Sequence, residues 1–542
     1  MLSTIQDFPL TINAIFRHGA RVYPSSEVAT FTGTRMRRSS FTEVAARVAR
    51  LAGALKRMGI GDGDRVGTFC WNAQEHLEAY YAVPCMGAVL HTLNIRLFPD
   101  QLAYVINHAG DRVVIVDGSL VPLLARVRDQ LKNVERFIVT GEEDASALGE
   151  VIRYEDALGG ERDEFDWPEP DERSAASMCY TSGTTGNPKG VVYSHRSTYL
   201  HSMAECSGSV FGLSDRDKML ILPSMFHANA WGLPYAAWMC GAAIIFPGRH
   251  VQAEPLCRLI TAERPNFGGA VPTVWNEVLR YAEANNVSLS CFRLVMSGGS
   301  AVPASLIEKF RVQHGVRLLQ GWGMTETGPL AAISNPPRGS APEEEVSWLA
   351  RTGRVCAGVE IRLTDGDRVL DWDGQSIGEI EIRGPWVTAS YYAEDAPEKF
   401  HDGWLRTGDV GVIDTNGYIQ ISDRAKDVIK SGGEWVSSVD LENNLMAHPD
   451  VLEAAVIGVP DPRWDERPLA CVVVKDGSPV SVEQLREFLA ARVVKWWLPE
   501  RWAFIQEVPK TSVGKFDKKV LRARYAAGEL PVVEPAAKAA GD

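Results

Sequence analysis

Ten consecutive residues gather the groups that a polyphosphate needs: Thr181-Ser182-Gly183-Thr184-Thr185-Gly186-Asn187-Pro188-Lys189-Gly190. Glycines let backbone N–H groups approach an anion, hydroxyls add donors, and Lys189 supplies charge. The spacing is not that of the common NTPase loop, where Ser or Thr follows the lysine; here Gly190 follows Lys189. A flexible Ser/Thr/Gly linker has a similar composition. This stretch, however, lies mid-chain between Ala175-Ala176-Ser177-Met178-Cys179-Tyr180 and Val191-Val192-Tyr193, both apolar-leaning. Four further segments combine glycine with hydroxyl, carboxylate or ammonium groups: Ser297–Ala301, Gln320–Thr327, Leu405–Asp409 and Pro509–Asp517. Each of the first three alone reads as a turn, and the last competes with a basic patch continued by Lys518, Lys519, Arg522 and Arg524.

The elements that must hold these segments follow from hydrophobic period. Ser40-Phe41-Thr42-Glu43 is a capping box, and Phe41, Val44, Ala45, Val48, Leu51, Ala52, Leu55 and Met58 keep helical spacing up to Gly59. A strand is expected over 65–70, a helix over 75–86, and strands over 112–116 and 137–139. Alternation of this kind through roughly 400 residues predicts an α/β fold, a large N-terminal domain of layered, mostly parallel sheets with helices. Met239-Cys240-Gly241-Ala242-Ala243-Ile244-Ile245-Phe246 echoes Met86-Gly87-Ala88-Val89-Leu90, which suggests two related subdomains. Residues 161–172 and 334–345 read as surface loops. A sharper boundary at 423–434 precedes apolar elements at 452–459, 469–474, 482–494 and 503–508, enough for a small α+β lid domain. The expected division is 1–425, 426–531, and a disordered tail over 532–542.

At 542 residues the chain exceeds one core. A formal charge of −13 argues against nucleic acid or an anionic membrane as partner. Nine scattered cysteines without a C-x-x-C pair read as reduced thiols of a cytoplasmic protein. The start of the chain lacks the basic, then apolar, pattern of a signal peptide. Between Met219 and Gly248 the chain is almost uncharged, but Pro223, Pro234, Gly232 and Gly241 interrupt it. A buried interior with an apolar pocket fits better than a transmembrane segment.

The loop closely resembles the signature phosphate loop of acyl-adenylate-forming enzymes, and the other segments follow in that family's order. The resemblance runs from about Thr11 to Arg524. Met225-Phe226-His227-Ala228-Asn229-Ala230-Trp231 and Lys430-Ser431-Gly432-Gly433-Glu434-Trp435 look like the medium/long-chain fatty-acyl-CoA synthetase branch, which includes relatives acting on methylmercaptopropionate. The resemblance implies a ligase that uses ATP to convert a carboxylic acid into acyl-AMP and pyrophosphate, then passes the acyl group to CoA. A carboxylate acylates poorly because oxide would have to leave; AMP leaves readily. Developing phosphate charge must be neutralised, and an apolar acyl slot provided.

By the same resemblance, Ser182, Gly183, Thr184, Thr185, Gly186 and Lys189 hold phosphates, while Gly321 and Trp322, with Gln320 beside them, border the adenine. Thr325 reaches the α-phosphate, and Glu326 with Thr181 holds Mg²⁺. Gly299 and Ser300 flank the nucleotide and the acyl carbonyl. Asp409 and Arg424 hold the ribose, Lys426 is the interdomain hinge, and Trp435 lies near the nucleotide. Lys515 is the catalytic lysine bridging carboxylate and α-phosphate. His227 and Trp231 border the acyl pocket, Trp231 as its gate, and Gly432 and Gly433 line the CoA path. Ser224 stands where relatives often carry proline. A homodimer is expected. The alternatives are a CoA ligase for a short functionalised acid, an enzyme loading a carrier protein, a luciferase-like oxygenase, and a silent nucleotide-binding protein; the intact Thr325, Glu326, Asp409, Arg424 and Lys515 argue against the last.

Overall fold

The computed structural model describes the chain except for residues 2, 182–186, 425–426, 432–433, 512–514 and 535–542 and the side chains of Glu434 and Trp435. The roles expected of Ser182, Gly183, Thr184, Thr185, Gly186, Lys426, Gly432, Gly433 and the Trp435 side chain therefore fall outside the described residues.

Two parallel sheets form the large N-terminal unit. One has seven strands, parallel from Ile152–Arg153 through Arg136–Thr140, Asp111–Asp117, Arg65–Phe69 and Val89–Thr92 to Ala175–Tyr180, with Gly190–Ser194 added antiparallel. The other has nine strands, with parallel pairing from Arg317–Gly323 through Leu294–Gly298, Phe267–Ala270, Lys218–Ile221 and Ala243–Phe246 to Glu27–Phe31. The capping box forms as expected: Ser40 and Glu43 satisfy each other's backbone N–H at the start of helix Phe41–Arg57.

Helix Gln74–Cys85 is buried from His76 onward and touches strands of both sheets, which is why it is apolar on most sides. It passes through Gly87 (φ +92°) into strand Val89–Thr92 of the seven-stranded sheet. Helix Leu233–Cys240 passes through Gly241 (φ +77°) into strand Ala243–Phe246 of the nine-stranded sheet. The two helices meet through the rings of Tyr80 and Tyr235, 5.4 Å apart. The echo in sequence thus corresponds to equivalent units of two sheets. The apolar stretch 219–248 is interior, and among the described residues no helix is long and apolar enough to cross a membrane. All nine cysteines are free.

The expectation of continued helix–strand alternation fails after residue 355. Glu360–Arg424 instead forms a third sheet of six antiparallel strands without an α-helix among them. Strand Glu360–Asp365 buries Ile361 and Leu363 and exposes Glu360, the period-two alternation of a sheet with one solvated face.

The lid is a fourth sheet, built on the paired strands Val451–Asp461 and Asp465–Val474, with Arg501–Phe504 parallel to the second. Alternate residues feed two cores. Ala454, Val456, Ala470 and Val472 face one side with Leu441, Leu485 and Leu489; Ala455, Ile457, Leu469 and Cys471 face the other with Val508 and Leu521. The tail expected to be disordered from residue 532 begins otherwise: Val532–Val533 pairs antiparallel with Trp502 and Ala503, adding a strand to the lid. Two β-branched residues facing an open sheet edge explain the difference.

Candidate active site

Strands of three sheets converge on one cavity of about 200 Å³. Ala175–Tyr180 and Gly190–Ser194 are antiparallel neighbours, so the phosphate-loop segment connects adjacent strand ends. Its base is closed by Thr181 N donating to Lys189 O (2.9 Å) and Lys189 N donating to Thr181 Oγ1 (3.1 Å). Lys189 Nζ pairs with Glu394 at 2.7 Å and stands 5.0 Å from the Tyr391 ring centroid. Thr181, Asn187 and Lys189 line the cavity.

The parallel strands Leu294–Gly298 and Arg317–Gly323 end beside each other at the same cavity, bringing Gly298, Gly299, Gly321, Trp322, Thr325 and Glu326 to its wall. A Cβ on Gly298 would lie 2.7 Å from Gly321 O, so the strands approach here only through glycine. Gly299 has φ +87°, and a Cβ there would meet Lys515 Cε at 3.4 Å.

Asp409, Arg424 and Glu326 are each held by partners from other elements. Asp409, nearly fully buried, accepts from Trp322 Nε1 at 2.8 Å through Oδ2 and pairs with Arg424 Nε at 2.9 Å through Oδ1. Asp409 and Arg424 are cross-strand partners in the third sheet, which fixes their register. Asp409 raises the Arg424 pKa above its ordinary value, outweighing burial. Glu326 Oε1 accepts from Tyr391 Oη at 2.7 Å, and Tyr193 Oη donates to Thr325 O at 2.7 Å. Burial, then Glu326, pushes the Tyr391 phenol up, so Tyr391 keeps its proton and donates. A carboxylate and a hydroxyl, Glu326 and Thr181, on one cavity wall suit a hard cation that takes its other ligands from phosphate and water. Among the described residues no group of three or more His, Cys, Asp or Glu could hold a metal ion alone.

Lys515 reaches the cavity from the lid. Burial and the neighbouring Arg424 lower its ammonium pKa to about 8, while Asp409 and Glu326 oppose that shift. Thr511 closes the lysine's loop, donating from N to Lys515 O (2.7 Å) and accepting Lys515 N at Oγ1 (3.2 Å).

The other end of the cavity is apolar: Ala228, Trp231, Met296, Pro329 and Leu330, with His227 among them. Burial, then Lys515, lowers the His227 pKa to about 3, so this imidazole is neutral at physiological pH. From Ala228 to Gly232 every residue has positive φ (43°, 52°, 51°, 62° and 84°). Left-handed backbone costs about 1–2 kcal/mol for each non-glycine residue. Asn229 tethers this turn, donating to Ser177 Oγ at 2.9 Å and accepting from Cys179 Sγ at 3.4 Å. Ser177 and Cys179 lie on the strand that leads to the phosphate loop.

Thr181, Lys189, His227, Trp231, Gly299, Gly321, Trp322, Thr325, Glu326, Arg424 and Lys515 thus meet at one cavity, with Asp409 directly behind Trp322 and Arg424. Gln320 and Ser300 differ from expectation. The Gln320 side chain is buried and accepts Val302 N at 2.6 Å, so it supports the turn after Gly299 and does not face a nucleotide. Ser300 is exposed and outside the cavity lining. Tyr391 and Tyr193 were not singled out from sequence. Nothing in their local pattern marks them, because their partners lie 65 and 132 residues away.

Residues 16–392 match the AMP-binding enzyme family, and residues 440–515 match the AMP-binding enzyme C-terminal domain. The chain belongs to the AMP-binding enzyme family. Its reaction class is that of an AMP-forming acid–CoA ligase. It is 42% identical to 3-methylmercaptopropionyl-CoA ligase of Ruegeria lacuscaerulensis, over 97% of this chain and 99% of that one. It is 43% identical to long-chain-fatty-acid–CoA ligase of Thermus thermophilus (96% and 97% covered) and 40% identical to medium-chain-fatty-acid–CoA ligase of Ectopseudomonas oleovorans (97% and 98%). Among solved structures, an anthranilate CoA ligase in complex with anthranoyl-AMP superposes with a TM-score of 0.88 at 27% identity, covering 96% of this chain and 99% of that one. ATP-bound MatB from Rhodopseudomonas palustris gives 0.83 at 26%, covering 96% and 100%.

Proposed function

We propose that this AMP-binding enzyme activates a medium- to long-chain fatty acid. The acid's carboxylate attacks the α-phosphorus of ATP, pyrophosphate leaves, and the thiol of CoA then displaces AMP from the acyl carbonyl. Lys515 supplies positive charge where the carboxylate and α-phosphate oxygens meet, and Thr325 adds a donor on the opposite wall. Asp409, held by Trp322 and Arg424, accepts from the ribose hydroxyls, and Trp322 borders the adenine. Lys189 exchanges Glu394 for a phosphate. Mg²⁺, held by Glu326 and Thr181, would neutralise phosphate charge. Neutral His227 lets the acyl end stay free of net charge.

The observation that carries the chain-length reading is Trp231. It closes the apolar end of the cavity from a strained left-handed turn, a conformation that an entering acyl chain could relax to open further volume. A screen of pyrophosphate release across acids of increasing length, with and without CoA, tests this. A maximum at medium or long chains supports it, and activity confined to short acids overturns it. The second reading, a ligase for a short thioether acid such as methylmercaptopropionate, is favoured by the 42% identity to the Ruegeria enzyme. The same screen decides between them.

The reading includes a division at residues 425/426, a lid that turns about Lys426 so that the Gly432-Gly433 segment meets the thiol's approach, a homodimer, and a cytoplasmic location. Light scattering of the purified protein tests the dimer.

A further inference from the structure

Outside the cavity lining, four side chains form one buried network. Asp423, 2% exposed, accepts Ser438 N at 2.9 Å through Oδ2, and the Ser438 hydroxyl donates to the same oxygen. That hydroxyl also accepts from Lys518 Nζ at 2.5 Å, and Lys518 pairs with Glu442 at 2.7 Å. Burial lowers the Lys518 pKa, yet Glu442 and Asp423 outweigh it and hold the value above the ordinary one. Ser438 thus answers a buried anion and a buried cation at once, its hydroxyl donating to one and accepting from the other. A parallel tie joins Arg522 to Asp427, and Ser437 Oγ donates to Ser422 O at 2.6 Å.

The network's position in the chain gives it consequence. Asp423 directly precedes Arg424 at the end of a strand of the third sheet, and Lys518 opens the lid helix Lys518–Ala526 three residues after Lys515. Arg424 and Lys515 both line the cavity, close enough that the charge of Arg424 lowers the Lys515 pKa. We propose that Asp423, Ser438 and Lys518 are positioning residues for acyl-AMP formation, fixing the separation of Arg424 on the sheet from Lys515 on the lid. The proposal rests on the reading of this chain as an acid-activating ligase.

Ser438→Ala tests it. Acid-dependent exchange of pyrophosphate into ATP should fall about ten- to a hundredfold in kcat, with the ATP KM changed by less than about threefold, because misplaced charge affects the transition state more than ground-state binding. Thioester formation from supplied acyl-AMP should stay within about twofold of wild type. Ser438→Thr, which keeps the hydroxyl, should restore most of the exchange. Asp423→Asn keeps shape while weakening the charge on Ser438, and should give a smaller loss with the same split should Ser438→Ala fail to fold. Equal loss of both half-reactions, or wild-type exchange in both folded variants, overturns the proposal. A wild-type protein that shows exchange with no acid would instead overturn the ligase reading beneath it.

Discussion

The polar and the apolar linings of the cavity are built on opposite principles. In the polar lining Asp409 is braced by Trp322 and Arg424, Glu326 by Tyr391, and Thr181 and Lys189 close the base of their loop on each other. In the apolar lining, Trp231 sits on one strained turn anchored through Asn229. Charge aimed in advance lowers a barrier without reorganisation, whereas apolar volume mainly discriminates between substrates. On the proposed reading, the chemistry of this site is braced from several elements, while its choice of acid rests on a few dihedral angles.

The sharpest way to separate the two ends is Lys515→Ala. Acyl-AMP formation should fall about 10²–10³-fold or more, as for loss of one preorganised donor, while transfer from supplied acyl-AMP to CoA is largely kept. Equal loss of both in a folded protein would remove Lys515 from the first step. Titration should show the same asymmetry. Lys515 acts as a cation, and its pKa near 8 means that the active form is present below that pH and lost above it. In adenylation, kcat/KM for ATP should therefore drop about tenfold per pH unit beyond 8, whereas His227, already neutral, adds no limb between pH 5 and 8. A flat profile up to pH 10 would break the assignment. Glu326→Gln replaces an anionic oxygen with a neutral one, so half-maximal activity should need about three- to tenfold more Mg²⁺; an unchanged magnesium titration counts against that role. The smallest effect on rate should come from Trp231→Ala, which keeps ATP affinity within about twofold while moving the preferred acid to longer chains. If its length profile overlays wild type, Trp231 is packing and not a gate.

Much of this was legible before the structure. The capping box at Ser40 and the period of the first helices depend on neighbours in sequence, and these local features appear where expected. The bracing residues depend on distant partners. Tyr391 matters because it meets Glu326, and the Gln320 side chain turned away because Val302 N was nearer. The third sheet was misjudged because short strands with one buried face resemble the strands of an alternating pattern until their order is known. The left-handed turn at Ala228–Trp231 gave no signal, since Ala-Asn-Ala-Trp contains none of the glycine that such backbone normally recruits.

The lid carries a core on each face of its sheet. A body packed in this way can exchange one resting place for another without opening either core, so the apolar area presented to water would hardly change. Heat capacity follows that area. Calorimetry of the enzyme in states resembling the two half-reactions would then find almost the same value, even where large distances separate the positions of Lys515.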